Sequence, residues 1–368
     1  MHRAMEDHRS SAFPDLPLSL FADLRRLFRT DSGQAFIFPA SGTGMWEAAL
    51  TNTLSPGNRV LACRNGQFGV GFALAADRLG LDVQHLDSDW GEGVPAREIA
   101  TILEADRAHD IRGVLVVHNE TSTGVTSDIA AVRRSIDDAR HPALLYVDGV
   151  SSVASIDFRM DEWRIDLAIT GSQKGLMLPP GLGIVCASER ALARGSSAKC
   201  PRFFFDFREM LKHNAGGYFP YTPPLSLLYG LREVLDILLA DGLDNVFARH
   251  HRLAEGVRRA VRAWGLRLCA SAPQWQSDTV SAVLVPEGVN GATVIDIAFR
   301  RYHLALGAGL GRMAGKLFRI GHLGDINELM LLGALAGTEM AMADAGIDVA
   351  LGSGVGAAAG WYRAIGSP

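Results

Sequence analysis

Between residues 34 and 188 the chain repeatedly sets a short apolar or β-branched run ahead of a segment with helical spacing, and few folds admit that alternation. Units of this kind bury each strand on both faces, so they build a mainly parallel sheet with helices on either side. Seven strands are expected, at 35–38, 59–63, 83–86, 114–118, 144–147, 167–170 and 183–187, with helical patterns between them at 45–54, 70–79, 97–105 and 129–139. From Pro224 onward apolar residues recur at three and four spacing for some forty positions, with Gly242 as the expected break, which reads as a helical hinge leaving the large domain. A strand at 279–285, a helix at 292–302, a strand at 317–320 and a helix at 326–343 then give an α+β unit. The fold class is thus α/β, with a large domain over residues 1–250 and a smaller one over 251–368. The segment LGSGVGAAAG near the end is biased to small residues and is expected to be flexible.

Composition narrows what such a chain can do. Hydrophobic residues make up 48% of the 368, charged residues 21%, and the net charge is -4, so neither a disordered chain nor a binder of nucleic-acid phosphates is expected. Forty glycines without any triplet period fit tight turns and close backbone approach to a ligand. Four cysteines, Cys63, Cys186, Cys200 and Cys269, show no CxxC spacing, which argues against a zinc site or a disulfide scaffold and suits a cytoplasmic protein. The charged first residues lack an apolar signal region and no run of roughly 18 apolar residues exists, so no membrane span is expected. The final AIGSP is not a targeting address.

Several motifs carry chemistry. Ser41, Gly42 and Thr43 lie between a strand and a helical run, where free amides and hydroxyls can cradle a phosphate or merely cap the helix. In LLYVDGVSS, Asp148 ends an apolar strand, the place where open α/β sheets put ligand sites, and a carboxylate buried there needs a cationic partner; turn capping is the plainer alternative. A metal at Asp148 would lack any accompanying His or Cys cluster, so none is expected. In TGSQKGLMLPPGLG, Lys174 stands among small and apolar residues beside Gln173, where an amine can lose its proton and form a Schiff base; a surface lysine on a loop is the plainer alternative. HNETSTGV offers the Thr121 hydroxyl at a strand exit, and His118 there reads as structural. Arg319, on the apolar strand of KLFRIGHLG, is either paired internally or offered to a carboxylate. GAGLG at 307–311 leads toward a strand pattern instead of a helix, so it is not a dinucleotide fingerprint, and Gly315-Lys316 is no P-loop. Arg258, Arg259 and Arg262 read as a solvated helix face.

Taken together, the phosphate cup, strand-end aspartate and strand-end lysine resemble the fold type I enzymes that carry pyridoxal phosphate. The strings SGTGMWEAALTNTLSPG, HNETSTGV, VDGVSSV, TGSQKGLMLPPGLG, YTPP, NVFARHHRLA, SDTVSA and KLFRIGHLG are similar to class V aminotransferases, in particular the serine:glyoxylate and alanine:glyoxylate branch. The resemblance implies that Lys174 bonds the cofactor aldehyde and shuttles the substrate proton. It implies that Asp148 pairs with the pyridinium nitrogen, that Ser41, Gly42 and Thr43 hold the phosphate with Gln173 close by, and that Thr121 bonds near the ring's phenolic oxygen. Phe68 falls where the family stacks an aromatic ring on the cofactor, and Arg319 where it clamps the substrate carboxylate.

A homodimer is also implied, with Thr222 reaching the phosphate of the neighbouring subunit. Relatives commonly carry a tyrosine a few residues before that threonine; here Phe219 stands in its place, between Tyr218 and Tyr221. They also open with an extended arm ahead of a segment similar to Met5–Arg9, whereas this chain begins about one turn before it, so the arm is expected to be missing. The expected reaction is transamination between an amino acid, L-serine foremost, and glyoxylate. L-aspartate or L-alanine as donor, and more distantly a lyase or a desulfurase using Cys200, are the alternatives.

Overall fold

The computed structural model describes residues 6–365. Residues 1–5, on which the expectation of a missing arm falls, and 366–368 of the AIGSP tail lie outside the described residues. Strands β1 (Gln34–Ala40), β2 (Arg59–Arg64), β3 (Asp82–Asp87) and β4 (Ile111–Val117) are followed by a two-stranded hairpin, β5 (Asn119–Glu120) and β6 (Val125–Thr126). Then come β7 (Leu144–Asp148), β8 (Leu167–Gly171) and β9 (Gly181–Ala187). Apart from the hairpin these form one seven-stranded sheet of order β1-β9-β8-β7-β4-β2-β3. Only β9 runs against the others, since it pairs antiparallel with both β8 and β1. All seven expected strands are present, and the sheet is mainly parallel.

Helices cover both faces. The alternation within each strand sends Ile37, Leu61, Val114, Leu145 and Ile184 to one side. There they meet α1 (Asp15–Phe28), α4 (Ala96–Ala105), α5 (Ile129–Asp138) and α8 (Leu225–Asp241). Phe36, Val60, Leu115, Tyr146 and Val185 point to the other side, against α2 (Gly42–Thr53), α3 (Gln67–Arg78), α6 (Glu189–Gly195) and α7 (Phe207–Asn214). With both faces buried, the strands can be apolar without interruption. Helix α1 is not among the expected elements, yet it buries Leu20, Leu24, Leu27 and Phe28 along one stripe.

Gly242, at φ +85°, ends α8 and starts α9 (Leu243–Ala263), where a left-handed backbone suits glycine. Helix α9 places Val246 in the core beneath the large sheet and Leu253, Val257 and Val261 in a second core. That second core is built with α10 (Gly291–Tyr302), α11 (Glu328–Asp344), α12 (Ser353–Ile365) and a four-stranded antiparallel sheet. The sheet runs β10 (Arg267–Leu268), β11 (Val280–Leu284), β13 (Leu317–Gly321), β12 (Gly307–Ala308). The GAGLG segment supplies β12 and leads into β13 through a single helical turn at 311–313, so no crossover helix follows it.

Two expectations are corrected here. The small-residue tail is not flexible coil; it forms α12, which packs on α9 so closely that a β-carbon on Gly256 would lie 2.1 Å from the Tyr362 hydroxyl oxygen. Its first turn is held by the buried Glu339 carboxylate, which accepts from the amides of Gly352, Gly354 and Val355 and from the Trp264 indole. Arg258 is not on a solvated face. It is buried and donates to Asp278 and to the carbonyl of Ser277, because the inward stripe of α9 that carries Ala254 and Val261 also carries residue 258.

Candidate active site

The parallel strands β1, β2, β4, β7 and β8 all point their carboxyl ends the same way, and the turns that leave those ends hold most of the residues singled out in the sequence. From β1 the chain enters α2 through Ser41, which takes the N-cap position with extended dihedrals (φ -116°, ψ 172°) but makes no side-chain cap bond. The first amides of α2 therefore keep no side-chain acceptor, and Ser41 and Thr43 are both exposed. Gly42 is obligatory for packing, since a β-carbon there would sit 2.3 Å from Val150 Cγ2. The end of β8 faces the same spot. A β-carbon on Gly171 would lie 3.0 Å from Gln173 Oε1 and 3.2 Å from the Gly42 amide nitrogen, so the two polar atoms flank a space no side chain fills. Gln173 Oε1 is buried and has no hydrogen-bond partner among the described residues.

Asp148 closes β7 and is 4% exposed. Its Oδ1 accepts from the Val150 amide at 2.9 Å and its Oδ2 from the Trp46 indole at 2.8 Å. Burial pushes its pKa up to about 6, while those two bonds and the charge of Lys174 pull against it. Lys174 sits in the β8–β9 turn. Ser172 fixes that turn by donating to Pro179 O (2.7 Å) and accepting from the Leu182 amide (3.0 Å), and a β-carbon on Gly175 would fall 2.4 Å from Val153 O. Burial, then the nearby Arg319 charge, draw the Lys174 ammonium below the usual lysine range, with Asp148 opposing. Asp148 and Arg319, distant in sequence from Lys174 and from each other, are thus both close enough to perturb the charge of Lys174.

Arg319 reaches the site from β13. The internal pairing expected of it is present, since Nε donates to Ala308 O (2.9 Å) and Nη1 to Thr121 O (2.8 Å), while Nη2 has no partner among the described residues. Thr121 itself donates its hydroxyl to Ser151 Oγ at 2.8 Å, and Ser151 donates to Asn119 O at 2.8 Å, so the hairpin is tied to the turn after Asp148. Phe68 lies half-buried in the first turn of α3. His118 is structural: it is buried, its Nδ1 lies 2.9 Å from Ser152 Oγ, and burial lowers its pKa to about 4. Cys200 is 3% exposed and burial raises its thiol pKa, which is not the setting of a mobile nucleophile.

Thr222 is not brought to this cluster within one chain. It is exposed, beside Tyr221, whose ring stacks on Phe204 (centroids 5.1 Å apart, 17° between planes) and whose hydroxyl donates to Phe203 O. Tyr218 donates to Ser10 O and Phe219 packs against Phe21, so these two rings serve the chain's own fold.

Sequence reasoning missed two residues. Trp46 lies inside the string SGTGMWEAALTNTLSPG with no assignment of its own; only the tertiary structure turns its indole to Asp148. Glu120 lay inside a noted string, HNETSTGV, but drew no assignment. It is fully buried; Oε2 accepts from the amides of Phe68 (3.0 Å) and Gly69 (3.1 Å) and Oε1 from the Ser122 amide (3.0 Å) and hydroxyl (2.6 Å). It therefore caps α3 from across the sheet and fixes the backbone that carries Phe68.

These residues fit pyridoxal phosphate. A helix start without a side-chain cap and with the unpartnered Gln173 acceptor beside it, a buried carboxylate with no ion pair among the described residues, and an amine with a lowered pKa are the complements of a phosphate, a pyridinium and an aldehyde. Fold and site together define a pyridoxal-phosphate-dependent transferase of fold type I. More narrowly, the chain belongs to the family Aminotransferase class-V, whose profile matches residues 13–310. It is 56% identical over 363 residues to a serine–glyoxylate aminotransferase of Methylorubrum extorquens, covering 97% of this chain and 90% of that one. It is 54% identical over 357 residues to an L-aspartate–glyoxylate aminotransferase of Paracoccus denitrificans, again with 97% and 90% covered. Among solved structures, pyridoxamine-pyruvate aminotransferase from Mesorhizobium loti superposes with a TM-score of 0.91 at 29% identity, covering 99% of this chain and 93% of that one.

Proposed function

We propose that the protein transfers the amino group of L-serine to glyoxylate, giving hydroxypyruvate and glycine, with pyridoxal phosphate as cofactor. The observation that carries this reading is the convergence of Asp148, Lys174 and Arg319 at one end of the sheet, in a chain whose similar relatives are named for serine and glyoxylate. L-aspartate as donor stays a second reading, favoured by the Paracoccus denitrificans relative.

Bound here, the cofactor supplies an electron sink beside the substrate α-carbon and a carbon that stores the amino group between the two half-reactions. Ser41, Thr43, the amides at the start of α2 and Gln173 would hold its phosphate, Phe68 would cover its ring, and Thr121 would bond its phenolic oxygen. Asp148 would keep a proton on the ring nitrogen. Lys174, drawn toward its neutral form by burial, would take the proton from the substrate α-carbon and return it. Arg319, anchored by two carbonyls, would present Nη2 to the substrate carboxylate.

Thr222 would complete the phosphate site of a second copy. A homodimer is supported by the exposed aromatic patch next to it, where Phe203 is 78% exposed. Residues 1–250 and 251–368 would act as large and small domains sharing α9. Four free cysteines suit a cytoplasmic location.

The test is a pair of half-reactions on purified protein loaded with pyridoxal phosphate. Serine should bleach the visible band and glyoxylate should restore it, with aspartate and alanine slower; absence of such a cycle with any of the three donors overturns the reading.

A further inference from the structure

Asp148 has no cationic side chain bonded to it among the described residues; its acceptor sites face two neutral donors, the Val150 amide and the Trp46 indole. The backbone amide comes with the turn, whereas the indole is a choice of side chain, delivered from α2. Trp46 is 5% exposed and cannot swing: its ring stacks on Phe72 (centroids 5.3 Å, 15°), and Gly71 leaves it room, because a β-carbon there would lie 3.2 Å from two ring atoms. An indole nitrogen only donates. A protonated Asp148 could give nothing back to it, while the anion accepts from both donors.

We propose that Trp46 is a positioning residue for transamination: its N–H holds Asp148 as an anion and ties α2 to the end of β7, setting how far the phosphate-binding start of α2 stands from the carboxylate. The proposal rests on the pyridoxal-phosphate reading above. One helix thereby serves both ends of the cofactor, Ser41 and Thr43 at the phosphate and Trp46, through Asp148, at the ring nitrogen. Because the donor is neutral, the charge of Asp148 stays available for a ligand cation. The other groups facing Asp148 are Glu120 from the hairpin, which opposes its ionisation, Lys174 from the β8–β9 turn, which favours it, and His118, which is buried and neutral and bonds only the Asp148 carbonyl through its amide.

The experiment measures the dissociation constant of pyridoxal phosphate from pH 5 to 9 for wild type, W46F, D148N and the double variant, with far-UV circular dichroism on each. Wild-type affinity should weaken below a break near the Asp148 pKa of about 6. W46F keeps the ring and drops the N–H, so the break should rise by about one to two pH units, the size of one lost charge-assisted bond. At pH 7 that makes binding about two- to tenfold weaker, and the gap should close by pH 9. D148N should show no break, and adding W46F to it should leave the pH profile unchanged. A break at the wild-type pH in W46F, or equal weakening at every pH, overturns the role of Trp46 alone. Wild-type protein that never takes up pyridoxal phosphate overturns the functional reading and this inference with it. Should W46F lose its fold, W46M, a flexible apolar side chain that fills the same space without an N–H, takes its place, and a break left at the wild-type pH overturns the role of Trp46.

Discussion

Alanine at Gly42 would show whether the phosphate cup and the aspartate form one mechanical piece. The added β-carbon would stand 2.3 Å from Val150 Cγ2, against 3.4 Å for ordinary contact, so Val150 must retreat by about 1 Å in a region packed like a crystal. Its amide donates to Asp148 Oδ1 at 2.9 Å, and the retreat loosens that bond as well. Overpacking of this kind costs about 1–3 kcal/mol. Shortening the neighbour removes the clash: V150A, a trimmed half-buried valine, costs about 1 kcal/mol by itself, and G42A/V150A should be no less stable than V150A. The coupling energy should then equal the whole G42A cost, about 1–3 kcal/mol. Urea unfolding followed by far-UV circular dichroism, at one fixed protein concentration, measures all four proteins, and pyridoxal phosphate affinity should fall in G42A and recover in the double variant. Additive losses, or a G42A protein as stable as wild type, would refute the idea that the two turns press on each other.

Other perturbations test other parts. E120Q must face an amide NH2 toward donors, so stability should drop by about 1–3 kcal/mol and amide exchange at the start of α3 should quicken; unchanged protection of Phe68 and Gly69 would show that the carboxylate is not their anchor. R319K, which cannot keep both carbonyl anchors and still present an N–H to a carboxylate, should raise KM for the amino donor about 10- to 100-fold while cofactor affinity holds, and an unchanged KM would remove Arg319 from substrate binding. Burial raises the Asp278 pKa, but the His251 bond and the Arg258 charge outweigh it and hold the carboxyl below the usual range. Its contribution is therefore present at neutral pH and lost as pH falls through the lowered folded value. D278N should cost about 1–2 kcal/mol at pH 7, with the gap closing below pH 3.8, and a gap that persists there contradicts the ion-pair account.

Much of this was legible in the sequence because strand ends are. Asp148, Lys174 and the Ser41 turn each follow an apolar run, and chain chemistry alone places such residues at the rim of a parallel sheet. Glu120 and Trp46 were not legible for the opposite reason. Each acts across the fold, on partners 52 and 102 positions away, and nothing local marks a glutamate as a helix cap or an indole as a carboxylate donor. Arg258 and the glycine-rich tail misled in one shared way: composition suggests exposure or looseness, but only the neighbour decides whether a charge is buried against a partner or a small residue means close approach.

The pairing of β1 has a consequence for how the protein must be made. That strand, carrying the apolar run AFIF, bonds within the sheet only to β9, so Gln34 waits for Ala187. At synthesis rates of about 5–20 residues per second, the intervening stretch keeps the ribosome busy for roughly 7–30 s. Throughout that interval the nascent polypeptide carries an apolar strand with no ladder to join, an unpaired edge of the kind that invites wrong partners, until the last strand of the large sheet leaves the ribosome.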